Sequence, residues 1–281
     1  MSGARARSIE FFKLSGAGND FVALAEPERD PDARQIAAWC RRGISLGADG
    51  LFVLRRVGGT GGVPRVTMTH YNADGARAEL CFNGARCAAR LAFHLGWGDR
   101  VVEVATEAGV FAAEPASSPG SIAIEAPVPA ATPRRVRLPV EGAAIDGWSL
   151  TVGVPHLVVI GEGPVTDVDL ARLGPALRRH PELGPAGANV DFVSFPTSGV
   201  LELRTWERGV EGETLACGSG VVASALIGLE LGAISLPLEV HTAGKRPLRL
   251  EGVAEGGVPV RWRLIGDARV VAEGKLTEEA L

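Results

Sequence analysis

The sequence predicts an α+β protein of two similar domains, each a curved, mostly antiparallel sheet wrapped around one central helix. Three observations lead there. Short β-type runs punctuated by Gly or Pro recur along the whole chain, helix-forming stretches are few, and one stretch is written twice. "ELCFNGARCAARLAFHLG" (79–96) and "LACGSGVVASALIGLELG" (215–232) each carry a Cys, run into an apolar helical pattern and stop at Leu-Gly. The interval from Cys81 to Gly96 equals that from Cys217 to Gly232. Residues 221–231 are apolar around nearly the whole circumference, and in 84–95 only Arg86, Arg90 and His94 make a polar stripe. A helix apolar on all sides has to be enclosed, so a sheet is expected around each.

In chain order, strands are expected at "IEFFKL" (9–14), "FVALA" (21–25), "LFVLRRV" (51–57) and "RVTMTHY" (65–71). A helix precedes the third of these, opening at Asp30-Pro31, a capping residue followed by proline in the first turn, and ending at Gly43. "GGTGG" (58–62) reads as a mobile hairpin loop. After the first repeated helix come "VVEVAT" (101–106) and "SIAIEAP" (121–127), then "PVPAATPRR" (127–135), whose prolines make it the natural boundary. "HLVVI" (156–160), a helix over roughly 167–180, "VDFVSF" (190–195) and "LELRTW" (201–206) lead to the second repeated helix. "LPLEVHT" (236–242), "PLRLEG" (247–252), "VPVRWRL" (258–264) and "ARVVAEG" (268–274) close the chain. The expected division is 1–128 for a domain carrying Cys81, 129–264 for a domain carrying Cys217, and 265–281 as a segment that pairs back with the first.

The chain has 281 residues, 46% of them hydrophobic, enough to fill real cores. Its formal net charge is −4 with both signs interleaved, which offers nothing to nucleic acid or an anionic membrane surface and leaves small molecules as partners. The start "MSGARARSIEFFKL" has no apolar signal region and no later run is long enough to span a bilayer, so a cytoplasmic protein is expected. Four cysteines, Cys40, Cys81, Cys87 and Cys217, are too sparse for a disulfide scaffold. None forms C-x-x-C, the five His form no H-x-x-x-H pair, "GAGNDF" fails G-x-G-x-x-G and no "GK[ST]" occurs. No metal and no cofactor are expected.

A Cys just before a helix lies in the positive end of the helix dipole, where its pKa is expected to fall from roughly 8.5, giving an acid or base near neutral pH. The residues that follow, Phe82-Asn83-Gly84 and Gly218-Ser219-Gly220, offer free backbone N–H groups that suit a carboxylate. Inverting a stereocentre needs a proton removed from one face of a carbon and returned to the other, which two thiols on opposing walls can do and one cannot. Cys40 and Cys87 lie inside helical patterns and read as core packing. For Cys81 and Cys217 the matched spacing points to function, though a duplication kept for folding accounts for the spacing too.

"KLSGAGNDFVAL" (13–24), "GADGLFVL" (47–54), "YNADGARAELCFNGARCAAR" (71–90), "GVPHLVV" (153–159), "ANVDFVSF" (188–195) and "WERGVEGETLACGSG" (206–220) together resemble the diaminopimelate epimerases, cofactor-independent enzymes of lysine and peptidoglycan precursor synthesis. The resemblance implies a diaminopimelate epimerase-like fold, a homodimer of two-domain subunits and an active site in the cleft between domains. It implies Cys81 and Cys217 as the acid–base pair, with His156 and Glu207 tuning the thiols. Asn19, Asn72, Phe82, Asn83, Asn189, Glu207, Arg208, Gly218 and Ser219 are the implied substrate contacts, on an amino-acid substrate, LL-diaminopimelate interconverted with the meso form. Four departures touch recognition. Phe82 stands where members usually have Gly, which is expected to set a phenyl group beside the pocket. Val154 replaces an Asn, Gly50 replaces a Gln found in some members, and "ERGVEGET" is one residue longer than the commoner form. Alternatives are a racemase of the same fold acting on histidine, glutamate or a proline derivative, a relative that isomerises without cysteine, and a non-catalytic thiol redox or binding protein.

Overall fold

The computed structural model describes residues 8–59, 61–78, 81–127, 132–255 and 258–280. In chain order the first elements are β1 (Ile9–Gly16), β2 (Asn19–Ala25), α1 (Ala33–Cys40), β3 (Gly50–Val57) and β4 (Arg65–Asn72). They are followed by α2 (Phe82–His94), β5 (Val102–Thr106), β6 (Gly109–Pro115) and β7 (Ser121–Pro127). Then come β8 (Arg134–Val140), β9 (Ala143–Val152), β10 (Val154–Ile160), α3 (Leu170–Arg178), β11 (Asn189–Thr197), β12 (Val200–Glu207) and β13 (Gly212–Thr214). The chain ends with α4 (Gly218–Glu230), β14 (Leu238–Thr242), β15 (Leu248–Glu255), β16 (Val258–Asp267) and β17 (Arg269–Leu276). It divides into two compact units, residues 1–124 with 267–281, and residues 125–266. Among the described residues no helix is long and apolar enough to cross a membrane.

The two units repeat one topology. In the first, β17 pairs antiparallel with β1 and β1 with β2, β2 runs parallel to β3, β3 antiparallel to β4, β4 parallel to β5, and β5 antiparallel to β6. In the second, β8 pairs antiparallel with β9 and β9 with β10, β10 runs parallel to β11, β11 antiparallel to β12, β12 parallel to β14, and β14 antiparallel to β15. One helix is enclosed in each case. α2 packs on β1 to β6 and β17, and α4 packs on β9 to β12. Both are buried through their first eight residues, Phe82–Ala89 and Gly218–Ala225, and again, beyond a more open Arg90 and Leu226, at Leu91–Ala92 and Ile227–Gly228. Burying whole helix surfaces of this kind is the dominant stabilising term for each unit.

Several expected elements shift. α1 opens at Asp32 rather than Asp30, because Asp32 accepts from the Gln35 N–H at 2.9 Å while the Gln35 amide oxygen accepts from the Asp32 N–H at 3.0 Å. This reciprocal cap outcompetes Asp30, and the helix stops at Cys40, with Gly43 in the turn beyond at φ +78°. The third helix is confined to α3, after a separate 3₁₀ turn at Val165–Asp167. Four strands escape the sequence pattern: β6, β8, β9 and β13. Arg134 and Arg135, read as loop, already belong to β8, and 128–131 of that loop lie outside the described residues, as does Thr60 of the "GGTGG" segment.

Candidate active site

In the second unit the site is assembled by strand register. β10 and β11 run parallel with His156 beside Asn189, and β11 pairs antiparallel with β12 so that Asp191 faces Thr205. Residues 189 and 191 share a sheet face because side chains alternate along a strand. α4 starts over this face with Cys217 as its capping residue. The result is a continuous hydrogen-bonded row: Cys217 Sγ lies 3.4 Å from Ser219 Oγ, Ser219 Oγ 3.0 Å from His156 Nε2, and His156 Nδ1 2.6 Å from Asp191 Oδ2. Thr205 Oγ1 donates to the other Asp191 oxygen at 2.7 Å. His156 and Asp191 are wholly buried. Gly220 is required here, since a Cβ at that position would stand 2.4 Å from Asp191 Oδ1.

Asn189 is buried and its Oδ1 accepts from the backbone N–H of Arg208 at 2.8 Å. Glu207 ends β12, and residues 208–211 form the hairpin loop to β13, closed by Glu211 N–H donating to the Glu207 carbonyl at 2.8 Å. Glu211 adopts a left-handed conformation at φ +55°, so the additional residue of "ERGVEGET" falls within a loop already bent by Gly209 at φ +89°. It leaves the run from Glu213 to Cys217 unchanged. Among the described residues the Arg208 guanidinium has no ion-pair partner.

The Cys217 thiol departs from expectation. Burial pushes it well above its usual pKa, and the charges of Glu207 and Asp191 push the same way, while Ser219 and the Gly220 N–H pull down without prevailing. The helix dipole that the sequence suggests is outweighed by desolvation. Cys217 is therefore a protonated thiol at neutral pH in this state.

In the first unit Cys81 caps α2, its Sγ accepting from the Gly84 N–H at 3.3 Å. Two residues on, Asn83 is buried and joins a directed chain of amides. Arg86 Nη2 donates to Asn83 Oδ1 at 2.5 Å, Asn83 Nδ2 to Asn19 Oδ1 at 2.6 Å, and Asn19 Nδ2 to Asp49 Oδ2 at 3.1 Å. Arg42 closes the far end on Asp49 at 2.7 Å. Arg86 is fully buried with its Nε and Nη1 unpartnered. The phenyl group of Phe82 does not border open space as expected. It turns into the core, 6% exposed, and packs edge-on against Phe111 at 5.6 Å, because an aromatic ring gains more from burial than from a polar rim. Asn72 ends β4 in the turn closed by Gly75 N–H to the Asn72 carbonyl at 2.9 Å, and its side chain makes no hydrogen bond among the described residues. Gly50 pairs with Asn72, and a Cβ on it would meet the Tyr71 carbonyl oxygen at 2.6 Å, so a longer residue there requires the strands to separate.

Thus the second unit gathers His156, Asn189, Cys217 and Ser219, with Glu207 acting on the Cys217 sulfur, and the first gathers Asn19, Cys81 and Asn83. Sequence reasoning passed over Asp191, Thr205, Arg86 and Asp49. The signal for Asp191 was available: an acid in the middle of the apolar run "NVDFVSF" has to be partnered. All four cysteines are free thiols, and burial raises Cys40 to about 11 and Cys87 further still. Among the described residues no cluster of three or more His, Cys, Asp or Glu is arranged to hold a metal ion.

A topology written twice, with a cysteine capping the enclosed helix of each copy, defines the class: a two-domain α+β fold of the racemase and epimerase type. A solved structure described as a probable proline racemase from Agrobacterium radiobacter K84 aligns with a TM-score of 0.71 at 13% identity, covering 96% of this chain and 93% of its own. At that identity the likeness speaks for the fold alone. More specifically, the chain belongs to the diaminopimelate epimerase family, whose model matches residues 11–120 and 148–258. It is similar to the diaminopimelate epimerase of Aquifex aeolicus, 35% identical over 291 aligned positions covering 97% of this chain and 99% of that protein. It is also similar to that of Gemmatimonas aurantiaca, 36% identical with coverage of 95% and 99%. The protein is an isomerase of the epimerase group.

Proposed function

We propose that the chain interconverts LL- and meso-diaminopimelate by passing a proton between Cys81 and Cys217, in lysine and peptidoglycan precursor synthesis, acting in the cytoplasm as a homodimer. The observation that carries this reading is the pair of cysteines standing at corresponding places in the repeated topology, each the capping residue of an enclosed helix. In one direction a Cys81 thiolate takes the proton from the α-carbon while the Cys217 S–H, kept protonated by burial, delivers its own to the opposite face. The other direction reverses the roles. The α-carboxylate, on which carbanion charge accumulates, is met by the N–H groups at the helix starts near Asn83 and Ser219, which hold it more tightly as charge develops.

The far end of the substrate engages Asn72, Asn189, Glu207 and Arg208. Arg208 offers a carboxylate a planar fork of donors, and an Arg facing a substrate without a second carboxylate would be left an unpaired charge. The test is incubation of each diaminopimelate isomer in deuterated buffer, following both isomers by mass spectrometry. Early in the reaction the product should carry one solvent deuterium at the inverted carbon while remaining substrate stays unlabelled. The assignment is abandoned if both diaminopimelate isomers are left untouched while histidine or glutamate is inverted.

A further inference from the structure

Behind His156 stand two residues with no part in the reaction as read above, Asp191 and Thr205, and their hydrogen bonds give the buried row a single sense. An ionised carboxylate only accepts, so with Thr205 Oγ1 donating to Asp191 Oδ1 at 2.7 Å, the 2.6 Å contact of Asp191 Oδ2 has to be filled by a proton on His156 Nδ1. A neutral imidazole protonated at Nδ1 presents a lone pair at Nε2. Ser219, 3.0 Å away, then donates its hydroxyl proton to that lone pair, and its oxygen is left to accept from the Cys217 S–H at 3.4 Å. The groups that act on the sulfur are Ser219 and the Gly220 N–H of its own helix, Asp191 from β11 and Glu207 from β12, with His156 of β10 behind Ser219.

Among the described residues the corresponding positions of the first unit hold no such row. Phe21 is paired with Gly50 as His156 is with Asn189, and Phe52 faces His70 as Asp191 faces Thr205. Where the second unit holds a row of hydrogen bonds, the first holds rings packed tilted and edge-on: Phe21 lies 6.0 Å from Phe52 and 5.7 Å from His70. Within its own unit the row therefore leads to Cys217.

We propose that Asp191 and Thr205 are positioning residues that hold His156 with its proton on Nδ1, and that Ser219 is the hydroxyl through which a proton passes between Cys217 and His156. When Cys217 gives up its proton to Ser219 Oγ, the Ser219 hydroxyl proton moves to His156 Nε2. A thiolate and an imidazolium result, and Asp191 balances the imidazolium. Reversal restores the thiol. The inference rests on the reading of Cys217 as an acid–base thiol, and it assigns the group that receives the thiol proton when Cys217 has to act as the abstracting thiolate.

Two measurements without substrate test it, and a third with substrate. The first is ¹⁵N NMR of the imidazoles in the whole protein, His156 being assigned by comparison with His156→Gln. A proton on Nδ1 is expected, and Nδ1 bare with the proton on Nε2 overturns the proposal. The second is the rate at which the Cys217 peptide is alkylated by iodoacetamide at neutral pH in Asp191→Asn. If Asp191 were only a buried anion near the sulfur, removing its charge would favour the thiolate and speed alkylation. If it supports the imidazolium, alkylation slows by about tenfold, with the Cys81 peptide unchanged. An unchanged or faster rate overturns the proposal. The third is epimerisation, expected to fall on the order of 10²-fold or more in Asp191→Asn, as when the acid behind a catalytic His is neutralised elsewhere. Should Asp191→Asn fail to fold, Thr205→Val is read in the same way, and the first measurement needs no variant at Asp191. If the substrate-free results come out as expected while diaminopimelate is not turned over, the proposed reaction falls and the relay stands. If diaminopimelate is epimerised and either substrate-free result is contrary, the relay alone falls.

Discussion

Burial raises the Cys40, Cys87 and Cys217 thiols alike, so a raised pKa does not separate a working cysteine from a packing one. What separates Cys217 from Cys87 is the hydroxyl at its side and the histidine behind it. Cys81→Ala and Cys217→Ala should each abolish epimerisation in a folded protein, since neither remaining thiol reaches both faces of one carbon. Cys40→Ala should leave the chemistry intact. Circular dichroism together with coupled turnover assays checks this, and near wild-type inversion by either Cys81→Ala or Cys217→Ala would falsify the two-thiol mechanism. Gly220→Ala tests the same row from its other side. The added methyl would stand 2.4 Å from Asp191 Oδ1, so either α4 or Asp191 must move. Crowding of this kind costs about 1–3 kcal/mol, and turnover should suffer as well as thermal stability, because the displaced oxygen accepts from Thr205 and belongs to the carboxylate whose other oxygen holds His156. A variant with unchanged turnover and lowered melting temperature would confine Gly220 to packing.

At the scale of elements, what was legible followed from period and punctuation. α2 and α4 announce themselves by apolar circumference, and most strands by runs of β-branched residues between Gly and Pro. β8 shows why others were passed over. In "RRVRLPV" only Val136, Leu138 and Val140 face inward, and the arginines and proline between them read as loop until a partner strand explains the alternation. β9 contains Asp146-Gly147, a turn signal in isolation, yet Gly147 is held in the strand because a Cβ there would meet the Val158 carbonyl at 3.0 Å. Cys81 and Cys217 stood out by their matched spacing, and His156 and the asparagines only through the family resemblance; Asp191 was signalled by its apolar run, but its partner Thr205 becomes visible only when strand register sets the two opposite each other. α1 illustrates competition between local signals: Asp30, Pro31 and Asp32 all suit a helix start, and the reciprocal bond with Gln35 decides for Asp32. Asp32→Ala should lower stability by about 1 kcal/mol in urea denaturation while Asp30→Ala, which loses only an exposed pairing to Arg55, should cost markedly less. Equal losses would mean that the cap does not set the helix start.

Over the whole molecule, one topology has been furnished twice with different interiors, and the difference is set to show in how stability follows pH. His70, packed among rings in the first unit with its Nδ1 unpartnered, is driven by burial from 6.5 to about 4. Between those values the unfolded chain binds a proton that the folded one refuses, so stability is lost as pH falls from 6.5 toward 4. The thiols work at the other end. Cys40 is raised by burial from 9.0 to about 11, and Cys87 and Cys217 are raised as well, each first by burial. Above pH 9 the unfolded chain releases protons that the folded one keeps, so stability falls as pH rises through that range. The urea midpoint should therefore form a plateau between about pH 6.5 and 9 with a decline on each side. His70→Leu removes the group responsible for the first part of the acid limb and should extend the plateau downward until carboxylates such as Asp20, which Arg42 and Lys13 hold below its usual range against burial, take over. Cys40→Ala should flatten part of the alkaline limb and leave the acid limb untouched. An acid limb that persists unchanged between pH 6.5 and 4 in His70→Leu would show that the ring is solvated when the chain is folded, and the aromatic interior assigned to the first unit would have to be given up.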